Sequence, residues 1–202
     1  MNQIAEALLQ TQSVHINTQE YFTWTSGKKS PIYCDNRQLI SYPHYRTLIT
    51  QEFVKKIKTD FSQVELIAGT ATAGIPWAAW IAESLNLPMI YIRSKPKGHG
   101  LKSAIEGKAL PSQKTLIIED LISTGKSSIE AVHNAKNDKL EVLGVLSIFT
   151  YGFSQAENAF QEQSIEKYSL CHLDQLLQHA QATQTLNSSN VDQVLEWKKA
   201  FI

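Results

Sequence analysis

The chain has 202 residues, 43% hydrophobic and 19% charged, enough for a single domain with a substantial core. Its 19 basic and 19 acidic residues cancel, which argues against a protein that lives by gripping nucleic-acid phosphates, because such proteins carry a basic excess. Cys34 and Cys171 fit neither a CxxC nor a metal-ligand spacing, no apolar run approaches the length of a membrane span, and the first ten residues lack the features of a secretory leader. A cytoplasmic protein with no membrane or nucleic-acid partner is the expectation.

Residues 2–12 place Ile4, Ala5, Leu8 and Leu9 on one helical face, so a short amphipathic helix opens the chain. An aromatic-rich segment follows, broken by Ser26-Gly27, Ser30-Pro31 and Tyr42-Pro43, in which residues 21–24 and 32–34 read as short strands of a small lobe. Pro43 then starts a helix running to about Thr59. Beyond it the chain alternates. A strand at 64–68 runs into the small-residue turn 69–74, then come a helix at 75–85 and a strand at 89–92. After a basic stretch there is a strand at 115–118, a loop at 119–124, a helix at 125–135 and a strand at 140–149, with mostly helical material to the end. Strands this continuously apolar, alternating with helices, indicate a parallel sheet covered on both faces, and ligands bind such sheets beyond the carboxyl ends of the strands.

Two segments occupy that position with unusual chemistry: Gly69–Gly74, and the run from Glu119 to Ser127. In the second, an apolar strand meets Glu119 and Asp120, then Leu121 and Ile122, then the hydroxyl- and glycine-rich Ser123-Thr124-Gly125-Lys126-Ser127-Ser128. Its tail imitates a P-loop, but a P-loop requires glycine where Asp120 stands, so a nucleoside-triphosphate site is excluded. Backbone amides at a helix N-terminus, with nearby hydroxyls, instead make a nest for one phosphate monoester. Two carboxylates beside that phosphate would repel it unless a sugar separates them, its vicinal hydroxyls donating to the acids. The plainer alternative, acids that merely charge a helix start, is worth only about 0.3–1 kcal/mol each. From Arg93 to Lys114 six basic residues (Arg93, Lys95, Lys97, Lys102, Lys108, Lys114) face one acid, Glu106.

The run from Glu119 to Ser128 resembles the donor motif of type I phosphoribosyltransferases. Phe22-Thr23-Trp24-Thr25-Ser26-Gly27-Lys28-Lys29-Ser30-Pro31-Ile32-Tyr33, Gly69–Gly74 and Arg93-Ser94-Lys95-Pro96-Lys97-Gly98-His99-Gly100 are similar to segments of the orotate phosphoribosyltransferase family. The resemblance spans essentially the whole chain. It implies one α/β domain of the type I phosphoribosyltransferase fold, a mainly parallel sheet flanked by helices. An N-terminal helix and hood would occupy about residues 1–42 and the core sheet about 60–150.

It also implies that Arg93, Lys97, His99, Glu119, Asp120, Leu121, Ile122, Ser123, Thr124, Gly125, Lys126 and Ser127 bind the phosphoribosyl pyrophosphate donor. Thr70, Ala71, Thr72 and Ala73 would form the pyrophosphate loop, in which the family often has a non-proline cis peptide. Ser123 and Lys28 would touch orotate, and Lys97, Asp120 and His99 would be catalytic. Mg2+ is the implied cofactor, held mainly by substrate and water, and the working unit is a homodimer whose Lys97 and His99 act across the interface. The chain departs from many members at Thr25, at Ala73 and at Thr150-Tyr151-Gly152, where a lysine, a lysine and an arginine are common. The rival readings are a purine-type phosphoribosyltransferase and a non-catalytic nucleic-acid-binding regulator of the same fold. Trp77 and Trp80 are read as helix packing, Lys198 and Lys199 as solvated charges, and Cys34 as no nucleophile, since no base accompanies it.

Overall fold

The structure, a computed structural model, describes residues 2–24, 26–94 and 103–201. Asn2 opens helix α1 (Gln3–Gln10), its side chain accepting from the Ile4 and Ala5 amides, and Ile4, Ala5, Ala7 and Leu8 are buried. The hood follows. Strand β1 (Val14–Ile16) pairs antiparallel with β4 (Ile32–Cys34), and between them β2 (Phe22–Thr23) and β3 (Lys29–Ser30) form a small hairpin. Gly27 turns that hairpin at φ 81°, a conformation that favours glycine. A 3-10 turn (Asn36–Ser41) leads into α2 (Pro43–Asp60), which Pro43 begins.

The core sheet contains β5 (Leu66–Thr70), β6 (Met89–Ile92), β7 (Ile105–Glu106), β8 (Lys114–Ile122), β9 (Glu141–Thr150) and β10 (Glu166–His172). In space they run β10-β9-β8-β5-β6-β7, all parallel except β7, which is antiparallel to β6. The connecting helices are α3 (Gly74–Leu85) after β5, α4 (Lys126–Asn137) after β8, α5 (Ser154–Glu162) after β9, and α6 (Leu173–Ala182) and α7 (Ser188–Ala200) after β10. Alternation along each strand feeds two cores. Ile67, Leu116, Ile118, Leu146 and Ile148 pack with α1, α2, α3, α6 and α7 on one face, while Leu66, Ala68, Ile117 and Val145 pack with α4 and α5 on the other.

The chain steps from β5 outward to β6, then returns past β5 to lay down β8 on its other side. The strand order therefore reverses between β5 and β8, where the crevice beyond the strand ends takes ligands. Two expectations need correction. Residues 119–122 are not loop: β9 holds them in the sheet through the pairs Glu119↔Ser147, Leu121↔Phe149 and Ile122↔Thr150. The C-terminal region is mostly helical as expected, but it was not expected to contain the sixth strand, Glu166–His172, that lies beside β9.

Candidate functional site

A cleft of about 620 Å3 lies at the reversal point, lined by Thr72 and Ala73 after β5, by Glu119, Asp120, Leu121 and Ser123–Ser127 after β8, and by Cys34, Asp35, Arg37 and Glu130. Gly74 lets the start of α3 lie against β8, and Gly69 lets β5 lie against α3. A Cβ on Gly74 would lie 2.3 Å from the Ile118 carbonyl oxygen, and one on Gly69 would lie 2.9 Å from the Ile75 Cα. The Ala71–Thr72 peptide is cis, as the resemblance implied.

Gly125, at φ 82°, turns the chain from β8 into α4 without any side-chain cap. The first amides of α4 are thus left to an anion, with the positive end of the helix dipole behind them. Glu119 is buried, and its carboxylate accepts from the Asp120 amide (3.1 Å), Ser127 Oγ (3.3 Å) and Ser128 Oγ (3.5 Å). Burial pushes its pKa well above the ordinary range, and the neighbouring Asp120 charge adds to the rise. Asp120 is also raised by burial, against hydrogen bonds and the Arg37 charge that lower it. The cleft therefore holds two adjacent acids that resist ionising together, and partners that stabilise carboxylates, such as sugar hydroxyls or a cation, fit them. Arg37 and Lys126 are its described cations, and Arg37 Nε donates to Asp35 Oδ1 at 2.5 Å.

Asn36 ties the hood to the donor strand. It is fully buried, its Nδ2 donating to the Asp120 carbonyl at 2.7 Å while its Oδ1 accepts from Cys34 Sγ at 3.2 Å. The Cys34 thiol is pushed well above its usual pKa by burial and by the Asp120 and Asp35 charges, so it stays protonated, as the lack of a base suggested.

A second cavity of about 530 Å3 adjoins the first, sharing Cys34, Leu121, Ser123 and Thr124 with it. Its remaining lining is Trp24, Ser26, Lys28, Tyr33, Tyr151, Gln155 and Phe201. Tyr151 stacks on Phe153 at 5.1 Å and meets Trp24 at 5.3 Å.

Of the residues singled out from sequence, Thr72, Ala73, Glu119, Asp120, Leu121, Ser123, Thr124, Gly125, Lys126 and Ser127 converge on the first cleft, and Ser123 and Lys28 on the second. Thr70 is buried, and its hydroxyl has no partner among the described residues. Neither Thr70 nor Ala71 lines the cleft. Ile122 is buried in the core on the α4 side, leaving its carbonyl to the Thr150 hydroxyl. Arg93 leans on Glu106 at 3.4 Å, while Lys97 and His99 lie outside the described residues. Sequence reasoning missed Asn36, Asp35, Gln155 and Phe201, whose contributions depend on folding.

No protein-family model matches the chain. Over 197 residues it is 51% identical to an orotate phosphoribosyltransferase of Streptococcus agalactiae serotype III (strain NEM316), across 98% of this chain and 93% of that protein. The chain belongs to the orotate phosphoribosyltransferase family. An orotate phosphoribosyltransferase of Listeria innocua serovar 6a is 44% identical over 98% of this chain and 94% of its own length. Leishmania donovani UMP synthase superposes on 98% of this family member with a TM-score of 0.83 and 28% identity, and the chain spans 42% of that longer protein. The chain therefore has type I phosphoribosyltransferase architecture, a mostly parallel six-stranded sheet flanked by helices. Among the described residues, no helix is long and apolar enough to cross a membrane.

Proposed function

We propose that this pentosyltransferase moves ribose 5-phosphate from 5-phospho-α-D-ribose 1-diphosphate to orotate, releasing diphosphate and forming orotidine 5′-phosphate for pyrimidine synthesis in the cytoplasm. The observation that carries this is the pairing of an acid-lined, cap-free helix terminus with a second, aromatic cavity that opens directly onto it.

The donor phosphate sits on the α4 amides with the Ser123, Thr124 and Ser127 hydroxyls, and the ribose hydroxyls donate to Glu119 and Asp120. The diphosphate lies along Thr72 and Ala73, whose small side chains let it approach the backbone. Orotate occupies the second cavity, where Lys28 is the one charged side chain among the described lining residues and meets the acceptor carboxylate. A neutral purine base has no such use for a cation. Ring nitrogen bonds to the anomeric carbon as the carbon–oxygen bond to diphosphate breaks. The passing state is oxocarbenium-like, and holding the two reactants in line supplies much of the acceleration.

Charge gathers on the departing diphosphate, and Arg93, Lys97 and His99 are the cations assigned to it. The family resemblance makes Lys97 and His99 contributions from the second subunit of a homodimer. Mg2+, a cation that keeps its waters and binds few carboxylates, would be held mainly by substrate and water beside Glu119 and Asp120, and would neutralise charge on the departing diphosphate. The rival nucleic-acid-binding regulator has no feature here in its favour, since the chain carries no net charge. Spectrophotometric loss of orotate should require both the donor and Mg2+. Turnover of hypoxanthine or adenine with none of orotate would overturn the assignment.

A further inference from the structure

Strand β8 outruns its neighbour. Its pairing with β5 ends at Gly69↔Ile118, whereas its pairing with β9 continues to Ile122↔Thr150. Asp120 therefore stands beyond the last ladder pair with β5. A backbone carbonyl in that position needs a partner from elsewhere, because a polar group withheld from water without one is costly. Asn36 supplies it, its Nδ2 donating to the Asp120 carbonyl at 2.7 Å from 84 residues away in sequence. Asn36 is fully buried, and its Oδ1 accepts from Cys34 Sγ at 3.2 Å. Cys34 ends β4 and lines both cavities. A carboxamide suits this place because it donates at one end and accepts at the other. Aspartate would turn an oxygen on the Asp120 carbonyl, and leucine would satisfy neither neighbour.

Resting on the reading of the two cavities as donor and acceptor sites, we propose that Asn36 is a positioning residue for the transfer: it stands in for the missing strand partner at Asp120 and fixes that acid relative to the hood wall of the acceptor cavity. Asn36 itself lines neither cavity, so it acts through the Asp120 peptide on one side and Cys34 on the other. What it sets is the alignment of the two sites and not the affinity of either.

The test is steady-state kinetics on the full-length enzyme with each substrate varied, for Asn36→Leu, Cys34→Ala, Cys34→Ser and the Asn36→Leu/Cys34→Ala double variant, well below each melting temperature. Asn36→Leu should lower kcat at least about tenfold, since misplacement by about 1 Å can cost about a hundredfold, while either KM changes less than about threefold. Cys34→Ser, which still donates to Asn36 Oδ1, should keep about threefold more of kcat than Cys34→Ala. In the Asn36→Leu background, Cys34→Ala should add less than about twofold, because the two side chains act as one unit. A lowered melting temperature with kcat unchanged in Asn36→Leu would overturn the proposal and leave the residue a purely structural one. So would a loss carried by either KM, or a Cys34→Ala cost undiminished with Asn36 absent. Should Asn36→Leu not fold, equal kcat in the two Cys34 variants would overturn it, and a deficit in the alanine variant alone would support it. A parent enzyme that turns over a purine base and no orotate would remove the reading of the acceptor cavity and this inference with it.

Discussion

Gly74 is where the geometry makes the sharpest demand on one residue. It begins α3 with its Cα against β8, so that a Cβ would lie 2.3 Å from the Ile118 carbonyl oxygen, 3.2 Å from its carbon and 3.5 Å from the Glu119 Cα. Those atoms are backbone in the centre of a sheet and cannot swing aside. In Gly74→Ala the contact must grow from 2.3 Å to at least 3.0 Å, moving α3 off β8 by about 0.7 Å. Overpacking of this kind costs about 1–3 kcal/mol. Alanine's helix advantage, up to about 1 kcal/mol in a helix interior, is smaller at a first helical residue. The net is about 2 kcal/mol of destabilisation, or about 4–8 °C in melting temperature for a chain of this length. The same displacement carries Thr72 and Ala73 away from Glu119 and Asp120. Misplacement by about 1 Å can cost about a hundredfold in rate, so kcat/KM for the donor should fall at least about tenfold. Calorimetry and donor-varied kinetics measure both quantities. A melting temperature within about 1 °C of the parent together with an unchanged kcat/KM would refute the reasoning, because the two loops would then not depend on this close approach.

Further substitutions examine the donor site. Glu119 binds its proton more tightly folded than unfolded, so its contribution to stability is complete below its ordinary value of 4.5 and is lost as pH rises through the folded-state pKa. Glu119→Gln should therefore melt a few degrees above the parent at neutral pH (about 2–4 °C per kcal/mol at this size), with a gap that closes toward pH 4 and a loss of donor turnover. A variant that melts below the parent at neutral pH, or a gap that widens toward pH 4, would contradict that sign. Lys97→Ala should lower kcat more than it weakens donor binding, since its charge answers one that develops during reaction. Mixing it with inactive Asp120→Asn protein should restore part of the activity if Lys97 works across a dimer. No recovery despite confirmed subunit exchange would argue that each subunit uses its own Lys97.

What could be read from the sequence was what lies contiguous in it. The donor strand, the acid pair and the cap-free helix start follow one another from Leu116 to Ser128, and each residue type announces its chemistry at short range. The core strands announced themselves because both faces are buried, as in the five consecutive buried residues of β5. Strand β10 did not, because Glu166, Lys167 and Tyr168 stand at the sheet edge and only Ser169 and Cys171 are buried in it. Trp77 and Trp80 proved to be packing, edge to face at 5.1 Å, but Lys198 is not merely solvated, since it pairs with Asp174 at 2.8 Å. The acceptor cavity was the least readable part. Its walls come from residues near 24–34, 121–124, 151–155 and 201, and no local pattern records that the hood, the end of β9 and the end of α7 meet.

That meeting explains how little the chain needs in the way of specialised acid–base groups at the reacting atoms. In the proposed reaction, donor carbon and acceptor nitrogen meet where the two cavities share Cys34, Leu121, Ser123 and Thr124. The donor side is fixed by the sheet, whereas the acceptor side is fixed by a hood built from two short antiparallel pairs, elements too small to be rigid alone. Asn36 closes that gap, joining Cys34 at the hood to the Asp120 carbonyl on the donor strand through two hydrogen bonds in a fully buried position. Trp197 and Phe201 close it again from the other end of the chain. Proximity and alignment can supply about 7–11 kcal/mol of a barrier only if both reactants ride on one rigid frame. In this chain the frame extends from the sheet to the hood through a buried amide on one side and an aromatic cluster on the other.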